Sequence, residues 1–258
     1  HFAASGHRVT VCSLARSPLE TAEAAGITPY CADFEVAQVS EPIQYARMLA
    51  RLPLPTPSSM GYFYSPLMAQ RVRARLVGQR WDLIFAHCSS VAQYVEDVLD
   101  VPKLLDFGDM DSHKWIEYAN YKPLPMSWGY QFEGAKMLMA EKRLARRFDL
   151  CTATTRAEWQ TLEDYATGAA TDWFPNGVDS EFFSPRDEPH DVDTISFIGR
   201  MDYYPNQQAV TLCHKFCLEA FPDTTPEEWT FVEGHGPGTR SWAAMDIHHR
   251  AHAMCYIA

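Results

Sequence analysis

The sequence lacks several features that define specialised classes of protein. No run approaches the roughly 18 consecutive apolar residues of a membrane-spanning helix, and no apolar signal-peptide core is visible near the first residue. The seven cysteines form no CxxC pair. Because several of them lie inside apolar runs, we expect reduced, buried thiols in a cytoplasmic protein.

Basic residues are also scarce. The chain has 22 Lys and Arg against 33 Asp and Glu, a net charge of -11, so we expect no nucleic-acid partner. Apolar residues make up 47% and charged residues 21% of its 258 residues, which is typical of globular proteins. This length suits one large domain or two ordinary ones. Because the first residue is not Met, we expect the chain to be a fragment.

Two common catalytic motifs are missing. The chain contains neither the GxSxG of a nucleophile elbow nor the GxxxxGK[ST] of a P-loop. His248 and His252, like Cys213 and Cys217, are spaced one helical turn apart, as metal ligands can be. Neither pair has a third ligand in a recognised pattern, so we expect no metal. A metal-dependent hydrolase using His248, His249 and His252 is the least favoured alternative.

Short apolar runs alternate with helix-like stretches along the chain. Near-continuous apolar runs such as 83–86 are typical of strands buried on both faces of a parallel sheet. The alternation predicts an α/β protein with a doubly wound sheet. The predicted strands are Val9–Leu14, Asp82–Cys88, Lys103–Phe107, Leu150–Thr154, Asp172–Phe174, Thr194–Gly199 and Thr230–Glu233. The predicted helices are Ile43–Leu52, Pro66–Gly78, Val91–Leu99, Trp128–Phe148, Ala157–Tyr165 and Gln207–Ala220.

A break in this alternation predicts a domain boundary. Pro175, Asn176 and Gly177 precede a polar, proline-containing stretch at 184–193, after which a second α/β pattern begins. We therefore expect one domain at 1–175 and another at 176–258. Asn176 and Gly177 are interpreted as a turn and hinge, where glycine permits a positive φ.

Polar residues follow two neighbouring predicted strands of the first domain. Ligands of open α/β sheets bind beyond the carboxyl ends of the strands. His87 comes after the part 82–85 of one strand, and Asp109 and Asp111 follow the next strand, so all three are candidate catalytic residues. The alternatives are a core histidine bonded to backbone and aspartates that cap the following helix.

Candidate phosphate ligands follow the strands of the second domain. Gly199 and Arg200 come after the part 196–198 of its first strand, and an arginine there can make forked hydrogen bonds to a diphosphate. Gly234, Gly236 and Gly238 form a glycine-rich run whose amides can face phosphate. The alternatives are a surface arginine and a plain turn.

Several longer strings resemble a known family. Pro175-Asn176-Gly177-Val178-Asp179, the start Gly6–Val11 and the strand Trp81–His87 are similar to signatures of the GT-B glycosyltransferases of family 4. The segments Asp106–Trp115 and 197–206 resemble one bacterial branch, the sugar transferases of PEP-CTERM and exopolysaccharide gene clusters. The similarity runs in order along nearly the whole chain. The lysine that family 4 enzymes usually carry after the Gly-Arg pair is missing here.

The resemblance implies two Rossmann-like, doubly wound domains facing a cleft, both incomplete in this chain. It implies a retaining transfer of sugar from a nucleotide-sugar to a glycan or lipid-linked acceptor, in exopolysaccharide biosynthesis. Neither a metal nor a cofactor beyond the nucleotide-sugar is implied. His87, Asp109 and Asp111 would lie at the acceptor rim, and Arg200 with the glycine amides at the donor diphosphate. A non-catalytic binding module or an inactive fragment is the alternative.

One helix carries an unusual share of the basic residues. Its cations either complement the helix dipole or hold the protein peripherally at an anionic membrane. Because no wide apolar stripe is apparent in the helix, we expect any attachment to be reversed by salt. The five residues, all within the predicted helix Trp128–Phe148, are Lys136, Lys142, Arg143, Arg146 and Arg147.

Overall fold

The chain divides into two units, His1–Val178 and Asp179–Ala258. The predicted boundary after residue 175 lies close to this division. The computed structural model describes residues 2–165, 167–178, 180–181, 184, 194–198, 204–220, 229–234, 242–247 and 253–256.

Two parallel sheets form the framework of the first unit. In one, β1 (Thr10–Ala15) pairs with β2 (Asp33–Gln38). The other has the order β3-β4-β5-β6, and each pair of neighbours is parallel. These parallel sheets with flanking helices confirm the predicted α/β class. The strands of the second sheet are β3 (Ile84–His87), β4 (Lys103–Asp106), β5 (Leu150–Ala153) and β6 (Ala170–Trp173).

Helices connect the strands of this unit, and local signals mark where several begin. Ser17, Ser65 and Thr155 each accept a hydrogen bond from the backbone amide three residues further on, which satisfies an otherwise unpaired donor. The helices are α1 (Pro18–Glu23), the 3-10 helix Ala24–Tyr30, α2 (Glu41–Ala50), α3 (Ser58–Tyr62), α4 (Pro66–Gly78), α5 (Ser89–Ala92), α6 (Asp111–Ala119), α7 (Met126–Ala145) and α8 (Arg156–Asp164).

The strand β2 was not predicted because charged residues interrupt its apolar pattern. Asp33 and Glu35 alternate with apolar residues along it. Arg75 of α4 forms ion pairs with both carboxylates, and its Nη2 lies 2.8 Å from Glu35 Oε1. Arg71 donates to the Val36 carbonyl at 2.6 Å. The negative charges of this edge strand are therefore neutralised by an arginine of α4, the helix packed against it.

The predicted helix Val91–Leu99 is wrong. Only α5 is helical there, and tight turns follow it, with bonds such as Val98 N to Val95 O at 3.1 Å. The buried Lys103 ammonium donates to the carbonyls of Val95 and Glu96 at 3.4 and 2.8 Å. A continuing helix would need these two carbonyls for its own backbone. The side chain of Lys103 therefore supplies the hydrogen bonds that these two carbonyls need, and no helix has to form.

The core of the first unit lies between the second sheet and its helices. Leu105, Met137 and Leu144 are fully buried there, as is Cys151. Burial raises the pKa of the Cys151 thiol to about 12, because desolvation disfavours the thiolate. The side chains of five of the seven cysteines are described and all five are free thiols, but the expectation of burial is wrong for four of these five. Those exposed or half-buried thiols are Cys12, Cys31, Cys88 and Cys213.

The second unit contains a mixed sheet with the order β10-β7-β9-β8. The strands β10 and β7 are parallel, but β9 is antiparallel to both β7 and β8. The expected all-parallel sheet is therefore not found in this unit. Antiparallel pairing suits β8 and β9 because so few residues separate them along the chain. The elements are β7 (Thr194–Ile198), α9 (Tyr204–Ala220), β8 (Trp229–Gly234), β9 (Trp242–Ile247) and β10 (Ala253–Tyr256).

The close packing of α6 on α7 depends on Gly134. A Cβ at this position would lie 2.7 Å from Ile116 Cγ1 and 3.3 Å from the Ser112 carbonyl oxygen. We expect Gly134→Ala to lower the free energy of unfolding by about 1–3 kcal/mol, because the two helices must move apart.

Gly129 of the same helix provides the matched control. A Cβ there meets nothing within 4 Å, so Gly129→Ala should raise stability by up to about 1 kcal/mol through helix propensity. Urea unfolding of both variants measures the difference. Equal midpoints for the two variants would contradict this account of Gly134.

Candidate functional site

A histidine and a buried aspartate meet at the carboxyl edge of the second sheet. The register places His87, the last residue of β3, opposite Asp106, the last residue of β4. His87 Nδ1 lies 2.9 Å from Asp106 Oδ2, and the two side chains are 67% and 5% exposed. A carboxylate only accepts hydrogen bonds, so it favours the tautomer with the proton on Nδ1. Nε2 of the exposed ring is then the basic nitrogen.

The carboxylate of Asp106 is held by more than the histidine. Its Oδ1 accepts from Thr152 Oγ1 at 3.0 Å and from the Gly108 amide at 3.3 Å. These donors come from β5 and from the loop after β4, so three segments fix one carboxylate. Asp106 was not among the candidates from sequence, because its pairing with His87 depends on strand register.

The backbone beside His87 is strained. Cys88 has a φ of 69°, unusual for a residue with a side chain, and its amide donates to the Asp106 carbonyl at 2.7 Å. With a ψ of 151° as well, Cys88 has a conformation that is otherwise almost confined to glycine and that costs roughly 1–3 kcal/mol. Gly108, also with a φ of 69°, lies opposite, and a Cβ there would be 3.6 Å from His87 Cε1. Strained residues of this kind cluster at functional sites.

Asp109 and Asp111 lie beside this pair and share one lysine. Lys114 Nζ lies 2.7 Å from Asp109 Oδ2 and 3.7 Å from Asp111 Oδ1. Asp111 also accepts from Ser89 Oγ at 2.7 Å. The capping alternative is wrong, because Met110 is the N-cap residue of α6 and makes no side-chain cap. The structure thus places both candidates in a polar, partly neutralised rim.

The loop that carries Asp109 is attached to the next strand and helix. Thr154, directly after β5, donates from Oγ1 to the Gly108 carbonyl at 3.0 Å. Glu158 of α8 accepts from the Met110 amide at 3.0 Å. The ends of three adjacent strands therefore contribute to one polar edge, as expected for an open α/β sheet.

A buried carboxylate fixes the start of α6. Glu141 of α7 accepts from the Ser112 amide at 2.9 Å, from Ser112 Oγ at 2.6 Å and from Tyr165 Oη at 2.7 Å. Desolvation raises the pKa of Glu141, although its hydrogen bonds act in the opposite direction. Burial and the nearby carboxylate also raise the pKa of Tyr165. This network orients the helix that begins at Asp111.

Most of the predicted ligands of the donor phosphates, all in the second unit, have no described position. Gly199, Arg200, Gly236 and Gly238 lie outside the described residues. Gly234 is the last residue of β8 and pairs with Trp242 of β9. Both interpretations of the glycine run, a phosphate site and a plain turn, stay predictions.

The remaining candidates from the sequence are the hinge at Asn176 and Gly177 and the histidines of a metal site. Gly177 is exposed beside Asn176, its φ is not positive, and a Cβ would meet nothing within 4 Å. The conformational reason given for this glycine is therefore wrong, and the hinge stays a prediction. His248, His249 and His252 lie outside the described residues. Within the described ranges, no group of three or more His, Cys, Asp or Glu side chains could hold a metal.

Comparison with known proteins gives no family model that matches the chain and no curated protein whose sequence matches it. Among the described residues, no helix has both the length and the apolar character needed to cross a membrane.

Proposed function

We propose that this protein is a retaining glycosyltransferase of the GT-B, family 4 type, acting in exopolysaccharide biosynthesis at the cytoplasmic side of the membrane. One observation carries the proposal: an exposed imidazole, oriented by a buried carboxylate, at the carboxyl edge of a parallel sheet. The resemblance of segments 81–87 and 106–115 to the sugar transferases supports the same conclusion.

In the proposed reaction the first unit binds the acceptor. His87 orients the acceptor hydroxyl through Nε2 or accepts its proton, and Asp106 holds the ring in the tautomer that makes this possible. Asp109 and Asp111 accept hydrogen bonds from hydroxyl groups of the acceptor, while Lys114 limits their mutual repulsion.

Arg200, Gly199 and the amides of the run 234–238 stabilise the negative charge of the departing donor diphosphate. The product keeps the configuration that the donor has at its anomeric carbon. The nucleotide-sugar is a co-substrate, and no further cofactor or metal takes part.

The role of Arg200 can be tested by donor binding. A panel of uridine, guanosine and adenosine diphosphate sugars is first screened by thermal shift, because a cognate ligand stabilises the folded state. Arg200→Ala should then weaken binding of the selected sugar nucleotide by about 1.5–3 kcal/mol, as expected for a charge-assisted hydrogen bond.

Arg73→Ala, an exposed arginine of α4, is the matched control and should bind the donor like the wild type. Equal affinity of Arg200→Ala and the wild type in calorimetry would remove Arg200 from the donor site.

A further inference from the structure

The long helix α7 has its charged and apolar residues in unusual places. Trp128, Phe132 and Met139 are 65%, 56% and 71% exposed. Glu133 and Lys136 are instead buried, with 3.2 Å between Glu133 Oε2 and Lys136 Nζ. A surface helix ordinarily shows the reverse arrangement, with apolar residues facing the core.

The two buried charges hold the start of α3 and the loop before it against α7. Glu133 Oε1 accepts from Ser59 Oγ at 2.9 Å, and Lys136 Nζ donates to Ser58 Oγ at 2.9 Å and to the Arg51 carbonyl at 3.3 Å. The spacing of 128, 132 and 139 places the three exposed side chains on one side of the helix.

Two loops next to α7 carry further exposed leucines. Each contains the sequence Pro-Leu-Pro, at 53–55 before α3 and at 123–125 before α7, and in each the leucine is exposed. Proline has no backbone N–H, so these loops expose few unpaired backbone donors. Moving such a loop out of water therefore costs less free energy than moving an ordinary loop. We use the term apolar face for the set Leu54, Leu124, Trp128, Phe132 and Met139.

In the segment 121–147, which contains four members of the apolar face, the charges that are not buried all have one sign. Glu133 and Glu141 are the only acidic residues in the segment 121–147, and both are buried. Arg146 and Arg147 are exposed at the end of α7, whereas the chain as a whole has a net charge of -11. This local excess of positive charge complements an anionic surface.

We propose that the apolar face docks on an anionic lipid bilayer, with Leu54, Leu124 and Trp128 entering the interface. Aromatic and leucine side chains flanked by cations are the composition of interfacial elements. The proposal does not depend on the glycosyltransferase function. It also changes the expected response to salt. Lys136 is buried and Arg143 pairs with Glu96, so apolar insertion contributes most of the binding and part of it survives high salt.

Co-sedimentation with vesicles tests the proposal. The whole chain should pellet with phosphatidylcholine vesicles containing phosphatidylglycerol, more weakly with phosphatidylcholine alone, and in part at high salt. The double variant Leu54→Ser, Leu124→Ser should lower the partition coefficient about tenfold or more, because two leucine side chains lose their apolar environment. Both changes lie in loops, and circular dichroism checks that the fold is kept.

The control is the double variant Leu19→Ser, Val77→Ser, which alters exposed apolar residues of α1 and α4. It should pellet like the wild type. Absence of the wild type from the anionic vesicle pellet, or equal pelleting of both double variants, would overturn the proposal. So would a dimer in ultracentrifugation that only Leu54→Ser, Leu124→Ser dissociates, because the face would then bind a second copy.

Discussion

Replacement of His87 by alanine should lower the rate of sugar transfer about 10²–10⁴-fold, the usual contribution of a positioned acid or base. The imidazole is 67% exposed, so the fold does not depend on it and the unfolding midpoint should stay close to that of the wild type. Transfer is measured as release of nucleoside diphosphate from the sugar nucleotide selected by thermal shift.

His7→Ala is the matched control, because His7 precedes β1 at the amino end of that strand. This variant should transfer sugar at the wild-type rate. Asp106→Asn should lower kcat less than the loss of His87, because the asparagine can hold the ring but no longer favours the tautomer with a basic Nε2. Full activity of His87→Ala would exclude the histidine from the chemistry.

Glu141→Ala should lower the free energy of unfolding by about 3–5 kcal/mol. The Ser112 amide and the hydroxyls of Ser112 and Tyr165 lose their acceptor inside the core. Glu117→Ala, an exposed glutamate of α6, should change stability by no more than about 0.5 kcal/mol. Urea unfolding measures both, and similar values for the two variants would contradict the structural role of Glu141.

The same carboxyl gives a pH dependence with a defined sign. Burial raises the pKa of Glu141 above its ordinary value in the folded state, so the native protein binds this proton more tightly than the unfolded chain does. Its contribution to stability is therefore present at low pH and lost as the pH rises through the folded value. The stability of Glu141→Gln relative to the wild type should increase over that window. Parallel pH profiles would show that the carboxyl does not titrate there.

The sequence predicts well where most strands of the first unit end. It predicts poorly which side chains of neighbouring elements contact each other. Apolar runs located β3, β4 and β5, and the rule that ligands bind beyond strand ends selected His87. Asp106 was missed because no one-dimensional pattern shows which residues share a register. The charged β2 was missed because its Arg71 and Arg75 partners lie on a different element.

The helix α7 shows a second limit. The predicted helix Trp128–Phe148 is confirmed over 128–145, although α7 begins at Met126 and ends at Ala145. Its buried pair Glu133 and Lys136 and its exposed Trp128 contradict the usual assignment of charged residues to solvent. Which side of a helix faces the core depends on polar partners such as Ser58 and Ser59, and these belong to α3, which is distant along the chain. The periodicity of the helix alone contains no such information.

The proposed chemistry is tested most directly by a turnover assay on the whole chain with the nucleotide-sugar panel and with oligosaccharide and polyprenyl-phosphate acceptors. We expect release of nucleoside diphosphate from one class of sugar nucleotide, a product whose anomeric configuration, read by NMR, matches that of the donor, and loss of both signals in His87→Ala. Absence of turnover with every donor, or turnover that His87→Ala leaves unchanged, would contradict the assignment of this site to sugar transfer.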